Sequence, residues 1–119
     1  MRRYAFVLAA SLAAAALAQE AAAHARLIRS DPKAGSTVAA PKALKLSYSE
    51  SIVAAKSKVT VTGPGGAVAT GPLAVDAGTP RNVTVPVTGA LKPGAYKVHW
   101  TMTTEDTHTM AGDFGFSVK

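Results

Sequence analysis

The chain has no cysteine among its 119 residues. This absence excludes disulfide bridges, on which small exported domains often rely, and removes the thiolate ligands of most structural zinc and iron–sulfur sites. Any bound metal must therefore be held by histidine, carboxylate, methionine or backbone groups. Aromatic residues make up only 6% of the chain, the net charge is +6, and the positive charges beyond Arg2 and Arg3 are scattered singly. This pattern does not favour a nucleic-acid-binding surface.

The first 23 residues have the three-part build of a secretory signal. Arg2 and Arg3 precede the apolar run Tyr4–Ala18, after which Gln19 and Glu20 lead into small residues that end at Ala23. The run has 15 residues, fewer than the roughly 20 that span a bilayer, although a retained N-terminal anchor is the alternative. Cleavage after Ala23 satisfies the A-x-A rule and makes His24 the first residue of the exported protein. We therefore expect a cleaved signal peptide over residues 1–23 and a single domain over residues 24–119.

The remainder of the chain has the period-two alternation of β-strands, and no amphipathic helix of useful length is indicated. Alternating segments occur at Ala43–Tyr48, Lys58–Thr62, Asn82–Val87, Ala95–Met102 and Asp113–Lys119. About seven short strands, separated by turns rich in Gly and Pro, are typical of a β-sandwich. The sequence thus predicts an all-β, Ig-like sandwich with Greek-key connections. The residues after His24 are expected to form an edge strand, and the glycine-rich stretch TGPGGAVATG a loop or hairpin tip.

Two of the three histidines have a sequence context that suggests chemistry. His99 is expected to face water on the outer side of its strand and is assigned no role. Asp106 and His108 are separated by one residue, and in extended backbone such residues point to the same side. By itself, an Asp-x-His motif is more typical of a hydrogen-bonded pair that closes a loop than of a metal site.

A mature N-terminal histidine makes a metal site a better interpretation of this motif. The α-amine and ring Nδ1 of His24 would chelate one metal, and His108 and Asp106 would bring the donor set to three nitrogens and one oxygen. This set suits a tetragonal Cu(II) ion, whereas zinc accepts some of the same ligands but prefers a closed tetrahedron. Serine-type hydrolysis is disfavoured because the chain has no G-x-S-x-G elbow.

Four blocks in order resemble the CopC (copper resistance protein C) family of periplasmic copper-binding proteins. They are HARLIRSDPKAGS, LKLSYSESI, LKPGAYKVHW and EDTHTMAGDFGFSVK. The resemblance covers nearly all of the expected mature chain. It implies a periplasmic, non-enzymatic protein that holds Cu(II) through His24, Asp106 and His108, with Glu50 as an outer-shell or weak axial group or simply a solvated carboxylate.

An inner-membrane copper transporter or another periplasmic copper protein is the expected partner. Nucleic acid is not expected, because the positive charges form no patch, and the protein is expected to be monomeric, because no strand shows an obvious exposed apolar face. Some family members carry a methionine-rich loop that forms a separate Cu(I) site. The corresponding stretch here, VTGPGGAVATGPLAVDAGTP, has neither Met nor His, and Met110 is expected to pack rather than to bind copper. A carrier of Cu(II) alone is therefore expected.

Two other functions remain open from the sequence. One is a copper-dependent oxidative enzyme, because copper polysaccharide oxygenases also use an N-terminal histidine chelate. The small domain leaves little room for the flat substrate surface of such enzymes. The other is a metal-free β-sandwich module for protein contacts, in which the terminal histidine is incidental.

Overall fold

The computed structural model describes residues 25–119. The signal peptide predicted over residues 1–23 and the predicted ligand His24 lie outside the described residues. Within residues 25–119, no helix is long and apolar enough to cross a membrane.

Nine β-strands form in the described chain, with one short 3₁₀ turn at Ala54–Lys56. They are β1 (Leu27–Asp31), β2 (Thr37–Val38), β3 (Ala43–Tyr48), β4 (Lys58–Gly63), β5 (Gly66–Val68), β6 (Ala74–Val75), β7 (Asn82–Pro86), β8 (Gly94–Thr103) and β9 (Thr109–Val118). Each alternating segment of the sequence lies in one of these strands, except that Val87 and Lys119 fall one residue beyond β7 and β9. The strands beyond the predicted number include β2 and β6, which have two residues each and are too short to show a period.

The strands form two sheets. One has the order β1-β3-β7-β6 and the other the order β2-β9-β8-β4-β5. Neighbouring strands are antiparallel except for β2, which runs parallel to β9. The predicted all-β sandwich is confirmed. β1 is an edge strand, as expected, and β4 and β5 form a hairpin at the glycine-rich stretch.

One core fills the space between the sheets because each strand buries alternate side chains. The buried apolar set includes Leu44, Leu46, Tyr48, Val59, Val61, Val83, Val85, Tyr96, Val98, Trp100, Met102, Phe114, Phe116 and Val118. Tyr48 of one sheet meets Trp100 of the other edge-on, with ring centroids 5.1 Å apart. Gly112, the cross-strand partner of Trp100, leaves the room that this indole ring occupies.

Candidate metal centre

Three segments meet at one end of the sandwich. The Arg26 amide donates to Ser49 Oγ, and the Ser49 amide donates to the Arg26 carbonyl, each at 3.0 Å. Three residues further on, Ile52 pairs with Thr104 at the end of β8. The start of the described chain, the segment after β3 and the turn between β8 and β9 are thus tied together by backbone contacts. Ala25, which is only 1% exposed, anchors the chain at this end.

The turn between β8 and β9 has a defined backbone geometry. The Thr104 amide donates to the His108 carbonyl, and the Thr107 amide to the Thr104 carbonyl, both at 2.9 Å. Thr107 has φ +70°, a left-handed conformation that is uncommon for a β-branched residue. A residue in this conformation after two turn residues is typical of a three-residue hairpin loop. The loop therefore consists of Glu105, Asp106 and Thr107.

The turn brings Asp106 and His108 together. Asp106 Oδ2 lies 3.1 Å from His108 Nδ1, and both side chains are about half exposed, at 52% and 55%. The sequence reasoning placed this pair on extended backbone, which is wrong in detail. The pair forms because the left-handed Thr107 reverses the chain between the two residues. The predicted proximity of the two side chains holds nonetheless.

Thr104 orients the carboxylate from the other side. Its hydroxyl donates to Asp106 Oδ1, and Thr104 itself is 2% exposed. This hydrogen bond, with a smaller contribution from His108, lowers the pKa of the Asp106 carboxyl below its ordinary value, against an opposing effect of desolvation. Asp106 is therefore held ionised, with each carboxylate oxygen engaged by a different neighbour.

The sequence reasoning did not find Thr104. A threonine two residues before an aspartate is a weak motif, typical of ordinary turns. Thr104 is almost fully buried and pairs with Ile52, which is distant in sequence. No local signal in the sequence indicates that pairing.

A shallow pocket of about 370 Å³ lies beside Asp106. Its lining comprises Ser49, Glu50, Ser51, Arg81, Thr104, Glu105 and Asp106. Three carboxylates and one guanidinium give it a net negative character, which favours a cation. Glu50 Oε2 is buried there and has no hydrogen-bond partner within the described chain. A carboxylate oxygen removed from water in this way is unfavourable unless a donor or a cation meets it.

His99 lies elsewhere, on the outer side of the five-stranded sheet. It is 51% exposed, as predicted, and its Nδ1 lies 2.7 Å from Asp113 Oδ1 on the neighbouring strand. Lys97 Nζ also approaches that carboxylate, at 3.9 Å. This second Asp–His pair was not predicted. It sits on a sheet face beside a lysine, a setting that does not favour a cation.

The described residues supply only part of the predicted ligand set. Asp106 and His108 are adjacent, but no group of three or more His, Asp or Glu side chains arranged to hold a metal occurs within residues 25–119. Met110 packs against the core as a half-buried side chain; that it does not bind copper stays a prediction.

Comparison with known proteins assigns the family. The model of the CopC domain family matches residues 27–119. The chain belongs to the CopC family. Copper resistance protein C of Pseudomonas syringae pv. tomato is 36% identical to this chain over 118 residues, covering 93% of this chain and 90% of that protein. Copper resistance protein C of Escherichia coli is 34% identical over 110 residues, covering 87% of each.

Solved structures of CopC relatives have the same fold. The crystal structure of PcoC, a methionine-rich copper resistance protein from Escherichia coli, aligns with a TM-score of 0.73 and 33% identity, covering 82% of this chain and all of that one. CopC from Methylosinus trichosporium OB3b aligns with a TM-score of 0.73 and 28% identity, covering 81% of this chain and 94% of that one. These relatives are named for copper or copper resistance rather than for an enzymatic activity, in agreement with the expectation of a non-enzymatic protein.

Proposed function

We propose that this CopC-family protein is a periplasmic carrier or sequestering protein for Cu(II), acting in copper resistance or homeostasis. Copper is its cargo, bound by His24, Asp106 and His108. The family supports copper as the metal, because the relatives are named as copper resistance proteins.

The observation that carries the proposal is the position of the Asp106–His108 pair. The pair lies on the turn that follows Thr104, and Thr104 is joined through Ile52 to the segment that also holds Arg26. His24 is bonded to Ala25, the buried residue that precedes Arg26. Ala25 and Arg26, which follow the expected mature terminus, therefore lie at the same end of the sandwich as the pair.

The hydrogen bonds of Asp106 are compatible with a ligand role. An ionised carboxylate has two lone-pair sites on each oxygen, so the bonds to Thr104 and His108 leave acceptor capacity for a metal. Because His108 meets Asp106 through Nδ1, we expect Nε2 to be the nitrogen that binds copper. A histidine ligand whose other ring nitrogen meets a carboxylate is a common arrangement in metal sites, because the carboxylate fixes the ring orientation and raises its basicity.

Glu50 supports the same cation from the pocket side. Its buried oxygen without a partner in the described chain and its place in the pocket that Asp106 also lines favour an outer-shell or weak axial role over that of a solvated carboxylate. The negative charge of Glu50 would also make the binding of a divalent cation beside Asp106 more favourable.

The methionines of the described chain favour Cu(II) over Cu(I). Thioether sulfur selects Cu(I), but Met102 is fully buried in the core and Met110 packs against it. PcoC is described as methionine-rich, whereas this chain has three methionines in all. We therefore expect weak binding of Cu(I) in competition with a Cu(I) chelator.

The test compares the two Asp–His pairs. His108→Ala should remove one nitrogen donor from the electron paramagnetic resonance spectrum of the Cu(II) protein and weaken binding by at least about tenfold. His99→Ala is the matched control, since it also removes a half-exposed histidine paired with an aspartate, and it should change neither. Equal effects of the two substitutions, or no effect of His108→Ala, would contradict the proposal.

A further inference from the structure

Edge strand β1 carries an unusual side chain for an exposed edge. Among residues 25–119, Ile28 is the one large hydrophobic residue with an exposed side chain, at 63%. In the pairing with β3, Leu27 lies opposite Tyr48 and Arg29 opposite Ser47, so Ile28 is the extra residue of a β-bulge. Natural edge strands are usually protected by charged residues, Pro or bulges that turn the edge away. Here the bulge instead directs an isoleucine toward solvent.

Ile28 is also part of a groove. The groove has a volume of about 470 Å³ and is lined by Leu27, Ile28, Arg29, Ser30, Lys33 and Ala34. On its other side, β1 pairs with β3. Within the described chain, the outer edge of β1 therefore combines an apolar groove with a strand that has one sheet neighbour.

The charges around this groove have mostly one sign. Arg26, Arg29 and Lys33 are exposed, and none of them forms an ion pair with another residue of the described chain. Asp31 is the single acidic residue on β1. A second copy of this chain would bring the same excess of positive charge against itself, whereas an acidic partner would be attracted.

We propose that the outer edge of β1 is a docking site for an extended, acidic segment of a partner protein. The segment would add a strand beside β1, as in β-augmentation. One of its apolar side chains would cover Ile28, and its carboxylates would pair with Arg29 and its basic neighbours.

The position of β1 suggests what docking is for. Arg26, at the start of β1, is hydrogen-bonded to Ser49, which lines the same pocket as Asp106. A partner seated on β1 would thus lie next to the proposed copper centre, where copper could pass between the two proteins. Only this use in transfer rests on the proposed function, because the docking surface is argued from exposure, charge and strand topology alone.

The experiment uses the chain from His24 onward, which contains both sheets and the whole described core. The probe is a short blocked peptide of alternating Glu and Val, and the control peptide alternates Lys and Val. In ¹⁵N-resolved NMR titrations, only the acidic peptide should bind, and the largest shift changes should fall in residues 27–34. Added salt should weaken this binding. No binding, equal binding of both peptides, or shift changes centred elsewhere would overturn the proposal.

Substitutions then test the named residues. Arg29→Glu should weaken binding of the acidic peptide roughly fivefold, because an exposed ion pair is removed and a repulsion is added. Ile28→Thr should weaken it by a similar factor, since it shortens the apolar side chain while keeping β-branching. Lys58→Glu makes the same charge change at an exposed position on the other sheet and should leave the affinity within about twofold. Equal losses of affinity in all three variants would reduce the effect to net charge and overturn the assignment to β1.

Copper titration of the same variants separates the two proposals. Arg29→Glu and Ile28→Thr should retain the Cu(II) affinity of the unmodified protein. If His108→Ala leaves copper binding intact while the peptide still binds at β1, the copper site fails and the docking site stands. A concentration-dependent dimer that Ile28→Thr abolishes, without peptide binding, would instead assign the edge to self-association and overturn the acidic partner.

Discussion

Replacing Thr104 by Val tests whether the buried hydroxyl prepares Asp106 for copper. Valine matches the shape of threonine, so it should keep the pairing with Ile52 and the packing of a residue that is only 2% exposed. What it removes is the hydroxyl that donates to Asp106 Oδ1 and lies 3.3 Å from the His108 carbonyl oxygen. The substitution therefore changes the support of the carboxylate with little change in the fold.

The size of the effect depends on how well Asp106 is still held without the Thr104 hydroxyl. Removing an outer-shell partner typically costs 10- to 100-fold in metal affinity, and we expect about tenfold here, at the lower end. The lower end applies because Asp106 keeps its hydrogen bond with His108, 3.1 Å away. Asp106 is also half exposed, so water can replace part of the missing hydrogen bond.

Two measurements and one control variant separate the effect of the Thr104 hydroxyl from that of packing. Competition with a Cu(II) chelator gives the affinity, and carboxyl ¹³C NMR of the metal-free protein gives the pKa of Asp106, which should rise in Thr104→Val toward its ordinary value. Thr104→Ser keeps the hydroxyl but loses a methyl group, so it should retain copper affinity while unfolding about 1 kcal/mol more easily. An unchanged affinity in Thr104→Val, or an equal loss of affinity in Thr104→Ser, would refute the reasoning.

Three further predictions concern the terminus, the pH response and the core. A residue added ahead of His24 should weaken Cu(II) binding by at least about tenfold and change its spectrum, with unaltered folding by circular dichroism. Copper affinity measured by chelator competition should fall between neutral and mildly acidic pH, because protons compete for imidazole and amine nitrogens. Because folding lowers the pKa of Asp106, its ionised carboxylate contributes to the stability of the folded state above about pH 4. This contribution should be lost only at more acidic pH. Gly112→Ala should lower the free energy of unfolding by about 1–3 kcal/mol in denaturant titrations, because its methyl would meet the Trp100 ring, whereas Gly65→Ala enters open space and should have little effect.

The strands that bury one complete face were the ones best predicted from the sequence. β3 was predicted at its observed bounds, Ala43–Tyr48, because Leu44, Leu46 and Tyr48 alternate with polar residues. β9 was predicted only from Asp113, although it begins at Thr109. The first residues of β9 do not alternate between apolar and polar types in the sequence, and they belong to the sheet because they pair with β8. Pairing with a neighbouring strand therefore makes β9 longer than its apolar–polar alternation predicts.

The candidate site was predicted only as far as spacing and residue type allow. Asp106 and His108 could be proposed because they are close in sequence and carry metal-binding groups. Thr104 was not proposed, and Glu50 was named only through the family resemblance, because the burial of both depends on residues distant in the chain. The same holds for the His99–Asp113 pair, which depends on the register between β8 and β9.

The two halves of the proposed centre differ in how they are prepared. Asp106 and His108 are set by the turn and by Thr104, so this half forms when the sandwich folds. The other half needs the α-amine of His24, which in an uncut precursor is a planar amide whose lone pair is delocalised into the carbonyl. That nitrogen can donate to a metal only after cleavage. Folding alone would thus leave an oriented pair with modest affinity, and removal of residues 1–23 would complete the chelate. In the proposed function, full Cu(II) affinity therefore arises only where the cut is made, on the periplasmic side of the membrane.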